Sequence, residues 1–264
     1  DLTIAAAKVA GIKNIARLGG AQSIAAFSFG TESIPKVDKI VGPGNAFVAE
    51  AKRQLFGKVG IDSIAGPSEI VILANETSSP EIVAWDLMAQ AEHDEEASSI
   101  LISNSGDIIK EVKEIIENEY PNLKRSRIIQ SSLQNNGLIV KIDNLKQAIH
   151  LINRLAPEHL HLAFDNQDID INNLVAGIIL EGTDSAVSLS DYVLGPSHIL
   201  PTNASSRFSS PLSVEDFIVS SSKVAINSNF NKDLYNELVD KTSLIARAEG
   251  LTAHAISAEK RKKD

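Results

Sequence analysis

The sequence has no cysteine. Disulfides, thiolate zinc sites and cysteine nucleophiles are therefore excluded, and any metal must be held by His, carboxylate, amide or water. No apolar run approaches the length of a membrane span, and the first residues lack the basic, apolar, small-residue order of a secretory signal. Positive charge is in deficit: the formal net charge of −9 argues against nucleic acid as the main partner. There is no internal repeat, no low-complexity run and no G-x-G-x-x-G fingerprint. What is there is ordinary for a globular protein, with 43% hydrophobic and 22% charged residues over 264 positions, enough for one large or two ordinary domains. The compartment expected from these absences is the cytoplasm, with no membrane partner.

The pattern along the chain is strand–helix alternation, which predicts an α/β fold with parallel sheets. In the first stretch, helices are expected at 3–10, 22–29 and 46–56, and strands at 14–18 and 39–41. In the second, strands at 70–74, 99–102, 138–140 and 176–180 alternate with helices at 80–97, 107–119 and 143–154. Residues 181–212 read as a long, ordered functional loop. A strand near 223–226 and helices over 231–262, broken at Gly250, complete the chain. Three regions follow: 1–69 as part of one α/β domain, 70–212 as a second, and 213–264 as a small C-terminal region with a helical arm.

The helix at 80 starts clearly, with Ser79 as N-cap, Pro80 at the first position and Glu81 in the first turn. Ile82, Trp85 and Met88 mark one apolar stripe, with Val83, Leu87 and Ala91 beside it, as a buried helix requires. Near its end Gln90 and His93, three apart, project from one side and could form half of a metal site. Alone, such a pair is more often a solvated edge. Pro157-Glu158-His159 places a carboxyl and an imidazole at a helix-to-strand junction, where they could act as general acid and base. Pro157 favours an extended residue before it. His161 is read as facing away from His159, so that at most one of the two serves a given site. Asp191 in the loop reaching His198 reads either as a metal ligand or as an Asx turn. His150 reads as structural or surface, and Lys52 and Arg53 as a solvated helix face. Gly19-Gly20-Ala21-Gln22 and Gly42-Pro43-Gly44-Asn45 each follow a strand and open a helix, a place where α/β sheets bind ligands.

Taken together, these stretches resemble histidinol dehydrogenase along nearly the whole chain. The motifs are Gly19–Gln22, Ile34–Asn45, Ala65-Gly66-Pro67-Ser68-Glu69, Gln90-Ala91-Glu92-His93-Asp94 and Ala156–Leu160. Asp191-Tyr192, Pro201-Thr202, Arg207-Phe208, Asp216-Phe217 and Glu249-Gly250-Leu251-x-Ala253-His254 follow in order. The resemblance implies two incomplete Rossmann-like domains and a zinc enzyme that oxidises L-histidinol twice, through histidinaldehyde to L-histidine, with two NAD. It puts one Zn2+ per site on Gln90, His93, Asp191 and His254, which also contact substrate. His159 falls on the general base and a substrate contact. Glu158 falls on the acid/base that activates water toward the aldehyde. Ser68 and Glu249 fall on substrate contacts, and Gln22 and Asn45 on NAD contacts. It also implies a homodimer whose C-terminal arm, with Glu249 and His254, completes the partner's site.

Three positions depart from the family pattern: Glu95 stands where Pro is common, Ser190 where Gly is common and Ser197 where Asn is common. The family also continues upstream of Asp1, with strands for both α/β regions and a tyrosine that contacts NAD. Two rivals differ in kind: a zinc hydrolase that uses Glu158 to activate water without NAD, and a non-catalytic remnant whose fold needs further chain.

Overall fold

The computed structural model describes residues 2–165, 168–226 and 230–263. They fall into two units, Asp1–Ile218 and Val219–Asp264.

The first unit opens with helices α1 (Leu2–Val9) and α2 (Ala21–Phe29), strand β1 (Lys39–Ile40), helix α3 (Ala46–Leu55) and strand β2 (Gly60–Ile61). β1 and β2 pair in parallel. Asn45 caps α3, its side-chain oxygen accepting from Val48 N–H at 3.1 Å. The expected strand at 14–18 is irregular, with Ile15 and Leu18 exposed. A strand exists only by pairing, and no described residue of this chain pairs there. Lys52 corrects the solvated-face reading. It is only 2% exposed, and its ammonium bonds the Asp62 carboxylate and the Gly42 carbonyl, while Asp62 also accepts from Gly42 N–H. The pair thus holds both polar groups of Gly42, at the head of the Gly42–Asn45 loop. Arg53 remains on the surface, paired with Glu50.

A second, five-stranded sheet follows. Its elements are β3 (Glu69–Ala74), α4 (Pro80–Ala91), β4 (Ser98–Ser103), α5 (Gly106–Glu119), α6 (Ser126–Asn136), β5 (Gly137–Lys141), α7 (Leu145–Leu155), β6 (His159–Leu162), β7 (Ile178–Glu181) and α8 (Val187–Tyr192). All pairings are parallel, in the order β5-β4-β3-β6-β7. The two-residue period of β3 divides the core. Ile70 and Ile72 pack with Val83, Leu87 and Val112 on one face, while Val71 and Leu73 pack with Ile152, Leu160 and Leu162 on the other. β3 and β6 are buried on both faces, as central parallel strands are.

Several expectations shift. α4 ends at Ala91, not 97, because Asp94 caps the following turn through Glu96 N–H and the 94–97 backbone bond. Val83, Leu87, Met88 and Ala91 are buried as expected, but the buried face also takes in Asp86 and Gln90, and Trp85 is 39% exposed. α6 has too few apolar residues to announce itself. It runs directly into β5 at Gly137, where a Cβ would strike the Leu133 carbonyl. α7 does end before Pro157, yet Ala156 is left-handed (φ 45°) and fully buried rather than extended. The loop at 181–212 contains α8. His159 and His161 share a face, since residues two apart on a strand point the same way. The opposite-face reading is wrong, and what separates the two is their partners.

The second unit holds α9 (Lys232–Ala248) and α10 (Thr252–Glu259), broken at Gly250 (φ 78°). Ser243 and Arg247 of α9 bond Glu259 of α10. Residues 223–226 are irregular, with Val224 exposed, and 227–229 lie outside the described residues. No described helix is long and apolar enough to cross a membrane.

Candidate active site

Glu158 and His159 sit at the N-terminal edge of the five-stranded sheet, where the left-handed Ala156 and Pro157 deliver the chain from α7 into β6. The register pairs Ile70 with His159, which sets Glu69 beside Glu158. Three bonds fix the group. Glu69 N–H donates to Glu158 Oε2 at 2.9 Å. His159 Nδ1 donates to the Glu69 carbonyl at 3.0 Å. Asn203 N–H donates to Glu69 Oε1 at 3.1 Å. A carbonyl can only accept, so Nδ1 carries the hydrogen and Nε2 of the neutral ring keeps its lone pair. That Nε2 is buried without a hydrogen-bond partner, 3.6 Å from Asp191 Oδ1 on α8.

Burial dominates the electrostatics. It pushes the Glu158 carboxyl up to about 7, against the opposing pull of His159. It raises Glu69 too, despite the bond from Asn203. For His159, burial is the largest single effect and acts downward. The facing Asp191, the Glu158 charge and the Glu69 carbonyl together outweigh it and leave the imidazole raised. Asp191 is lowered: burial opposes ionisation, but His159, His93 and His198 overcome it. Both His93 and His198 therefore stand close enough to Asp191 for their charges to act on it. A carboxyl near neutrality beside a basic imidazole suits proton transfer at neutral pH.

Gln90 is 2% exposed, and neither its oxygen nor its nitrogen has a partner. An orphaned buried amide is costly unless something satisfies it. His93 lies in the turn after α4, exposed, its backbone N–H donating to the Gln90 carbonyl at 3.2 Å. Among the described residues no three His, Asp or Glu side chains are gathered as a metal-holding group. An orphaned amide, an imidazole and an ionised carboxylate are nevertheless a donor set that fits zinc. Ser68, half-buried, leads into β3. Gln22 is exposed in the first turn of α2 and folds back over Gly20, and Asn45 is exposed at the head of α3. Glu249 and His254 are exposed in the second unit. The structure thus brings together Glu69, Glu158, His159 and Asp191, with His93 near enough for its charge to act on Asp191.

Glu69 and His198 are not read from the sequence as site residues, although Glu69 stands inside a quoted motif and the loop that carries Asp191 reaches His198. Glu69 acts through its backbone, which residue type does not reveal. Of the departures, Ser190 is buried within α8 and Ser197 caps Ile199 N–H at 3.1 Å, so both are accommodated locally.

Gly177 packs against this edge. A Cβ there would lie 2.6 Å from the Glu158 carbonyl oxygen and 3.2 Å from Pro201 Cδ. Gly177→Ala is expected to cost about 1–3 kcal/mol through forced displacement. Urea denaturation checks it, and an unchanged midpoint would show that the edge yields freely.

Residues 1–262 match the histidinol dehydrogenase family model. The chain belongs to the histidinol dehydrogenase family. It is 46% identical to histidinol dehydrogenase of Oceanobacillus iheyensis over all of this chain and 61% of that protein. It is 48% identical to that of Clostridium acetobutylicum over 98% of this chain and 59% of that one. A crystal structure of histidinol dehydrogenase from Elizabethkingia anophelis superposes with a TM-score of 0.85 at 37% identity, covering 97% of this chain and 58% of that one. The chain spans about 60% of the length of the curated relatives it matches.

Proposed function

We propose that this chain carries the catalytic edge of a histidinol dehydrogenase, oxidising L-histidinol through histidinaldehyde to L-histidine with two NAD. The observation that carries the reading is the Glu69–Glu158–His159 arrangement, which leaves one imidazole nitrogen basic and one carboxyl near neutrality. His159 Nε2 takes the alcohol proton as hydride leaves the carbinol carbon for the nicotinamide. That gives aldehyde, NADH and one proton. Glu158, ionised, takes a proton from water as its oxygen joins the aldehyde carbon, while the carbonyl oxygen takes back the proton His159 accepted from the alcohol, which frees the imidazole again. The hydrate then loses hydride to the second NAD and a proton to His159, giving the carboxylic acid. Gln90, His93 and Asp191, with His254 as a further ligand, would hold one zinc. When bound, the metal supplies a fixed positive centre that orients the substrate's nitrogens. Ser68 and Glu249 contact substrate in this reading, and Gln22 and Asn45 contact NAD.

The same reading takes the two sheets as two incomplete Rossmann-like domains, within 1–69 and 70–212. The 3-2-1-4-5 order of the larger sheet, in its own strand sequence, supports it. Residues 213–264 serve as a dimerisation region whose arm brings Glu249 and His254 to the partner's site, in a cytoplasmic homodimer. The test is NADH formed per L-histidinol consumed by the zinc-loaded chain. Two are expected. One would show an enzyme that stops at the aldehyde. Ester hydrolysis with no absorbance change would favour the hydrolase.

A further inference from the structure

The site as read above does not use the most deeply buried polar pair on the same helix and strand. His161 is fully buried, and Asp86 is 8% exposed. His161 Nε2 lies 3.0 Å from the Gly182 carbonyl, and its Nδ1 lies 3.0 Å from Asp86 Oδ2. The Gly182 oxygen accepts only, so Nε2 carries its hydrogen. Nδ1 and Oδ2, neither of which makes a hydrogen bond, face each other at 3.0 Å, within ion-pair range. With Nε2 on the Gly182 carbonyl, Nδ1 against Asp86 and the ring fully buried, His161 offers no nitrogen to a substrate.

What the pair does follows from spacing. Asp86 and Gln90 are four apart on α4, on one face and about 6 Å apart along the axis. His161 and His159 are two apart on β6, on one face and about 6.6 Å apart. α4 connects the parallel strands β3 and β4, so it runs against the strand direction. Moving from Asp86 to Gln90 and from His161 to His159 therefore leads to the same sheet edge in nearly equal steps. Where Asp86 meets His161, Gln90 is carried to the level of His159, and His93 lies just past the helix end. A slide of α4 by one residue, about 1.5 Å, would break the first contact and displace both proposed ligands.

We propose that Asp86 and His161 form a register clamp that sets the level of α4 against β6 and so positions Gln90 and His93 over the Glu158–His159 edge. Both are positioning residues, and the inference rests on reading that edge as the zinc site.

Asp86→Ala and Asp86→Asn separate the possibilities. The asparagine amide can donate to an unprotonated Nδ1 and keep the geometry without the charge, whereas alanine cannot. Zinc affinity is measured by chelator competition on the full chain, at a temperature where circular dichroism shows each variant folded. Asp86→Ala is expected to weaken zinc binding about tenfold or more, and Asp86→Asn to stay within about threefold of wild type. Asp86→Ser, too short to reach Nδ1, replaces the alanine variant if that one does not fold. A lowered melting temperature with unchanged zinc affinity would make the pair merely structural and overturn the proposal. Equal losses in Ala and Asn would also overturn it, by making charge rather than position decisive. If the wild-type chain takes up no zinc, the zinc reading is what fails. The clamp is then judged on Trp85, the chain's one tryptophan, beside Asp86. Emission shifted in Asp86→Ala and restored in Asp86→Asn supports the clamp, and identical emission in all three overturns it.

Discussion

Replacing His159 by alanine is expected to slow NADH formation from L-histidinol by about 10²–10⁴-fold, the usual contribution of a placed general base. Oxidation of histidinaldehyde should slow as well, because each hydride departure leaves a hydroxyl proton to be taken. Zinc content should stay at the wild-type level, since His159 is outside the proposed ligand set. The size of the effect follows from the absence of a substitute. His161 shares the face but is fully buried, with Nε2 on the Gly182 carbonyl and Nδ1 facing Asp86. His93 and His198 stand near Asp191 and share its charge. Glu69, raised by burial, holds its carboxyl on Asn203 N–H and contributes to His159 only through its carbonyl. Stopped-flow absorbance with alcohol and aldehyde in turn, beside metal analysis, reads all three expectations. Loss of zinc, or slowing of one step alone, would show that His159 does not have this role.

Much of this edge was legible in the sequence because the features that build it are local. Ser79-Pro80-Glu81 announces the start of α4, and Pro157 marks the end of α7. The apolar runs at 70–74 and 99–102 are long enough to read as buried parallel strands. What could not be read depends on partners distant in sequence. Glu69 looks like a strand-edge carboxylate until β6 pairs with β3 and its backbone clasps Glu158 and His159. Lys52 looks like a surface charge on an amphipathic helix until Asp62 and Gly42 close around it. Asp86 interrupts the α4 pattern as if exposed, because periodicity records a polar residue and not the histidine that will meet it. The strand candidates at 14–18 and 223–226 fail for the converse reason: suitable composition does not supply a neighbour.

Glu158→Gln is expected to change both stability and catalysis, with signs that tie the two together. Burial raises the Glu158 carboxyl from 4.5 to about 7 in the folded chain. Between those values the folded state holds a proton that the unfolded chain has released. The stabilisation is therefore complete below about 4.5 and is lost as pH rises through 7. A shift of that size corresponds to about 3 kcal/mol at most. Glutamine keeps an oxygen to accept from Glu69 N–H and carries no titrating proton. In the metal-free chain Glu158→Gln should therefore exceed wild type by about 2–3 kcal/mol at pH 8, with the gap shrinking as pH falls. His159, raised as well, loses stability in the same direction, and part of its rise comes from the Glu158 charge. The variant's remaining slope should thus also be shallower. Asp191, lowered, acts with the opposite sign and loses its contribution only as pH falls through the acid range. Urea midpoints at pH 5, 6.5 and 8 read these differences. In the proposed mechanism the same carboxyl, ionised, is the base toward water, so the variant should lose about 10²–10⁴-fold on the aldehyde step and much less on the alcohol step. A more stable protein at pH 8 that fails at hydration is what a buried carboxylate kept for catalysis predicts. Equal loss on both steps, or no gain in stability, would place the proton transfer elsewhere.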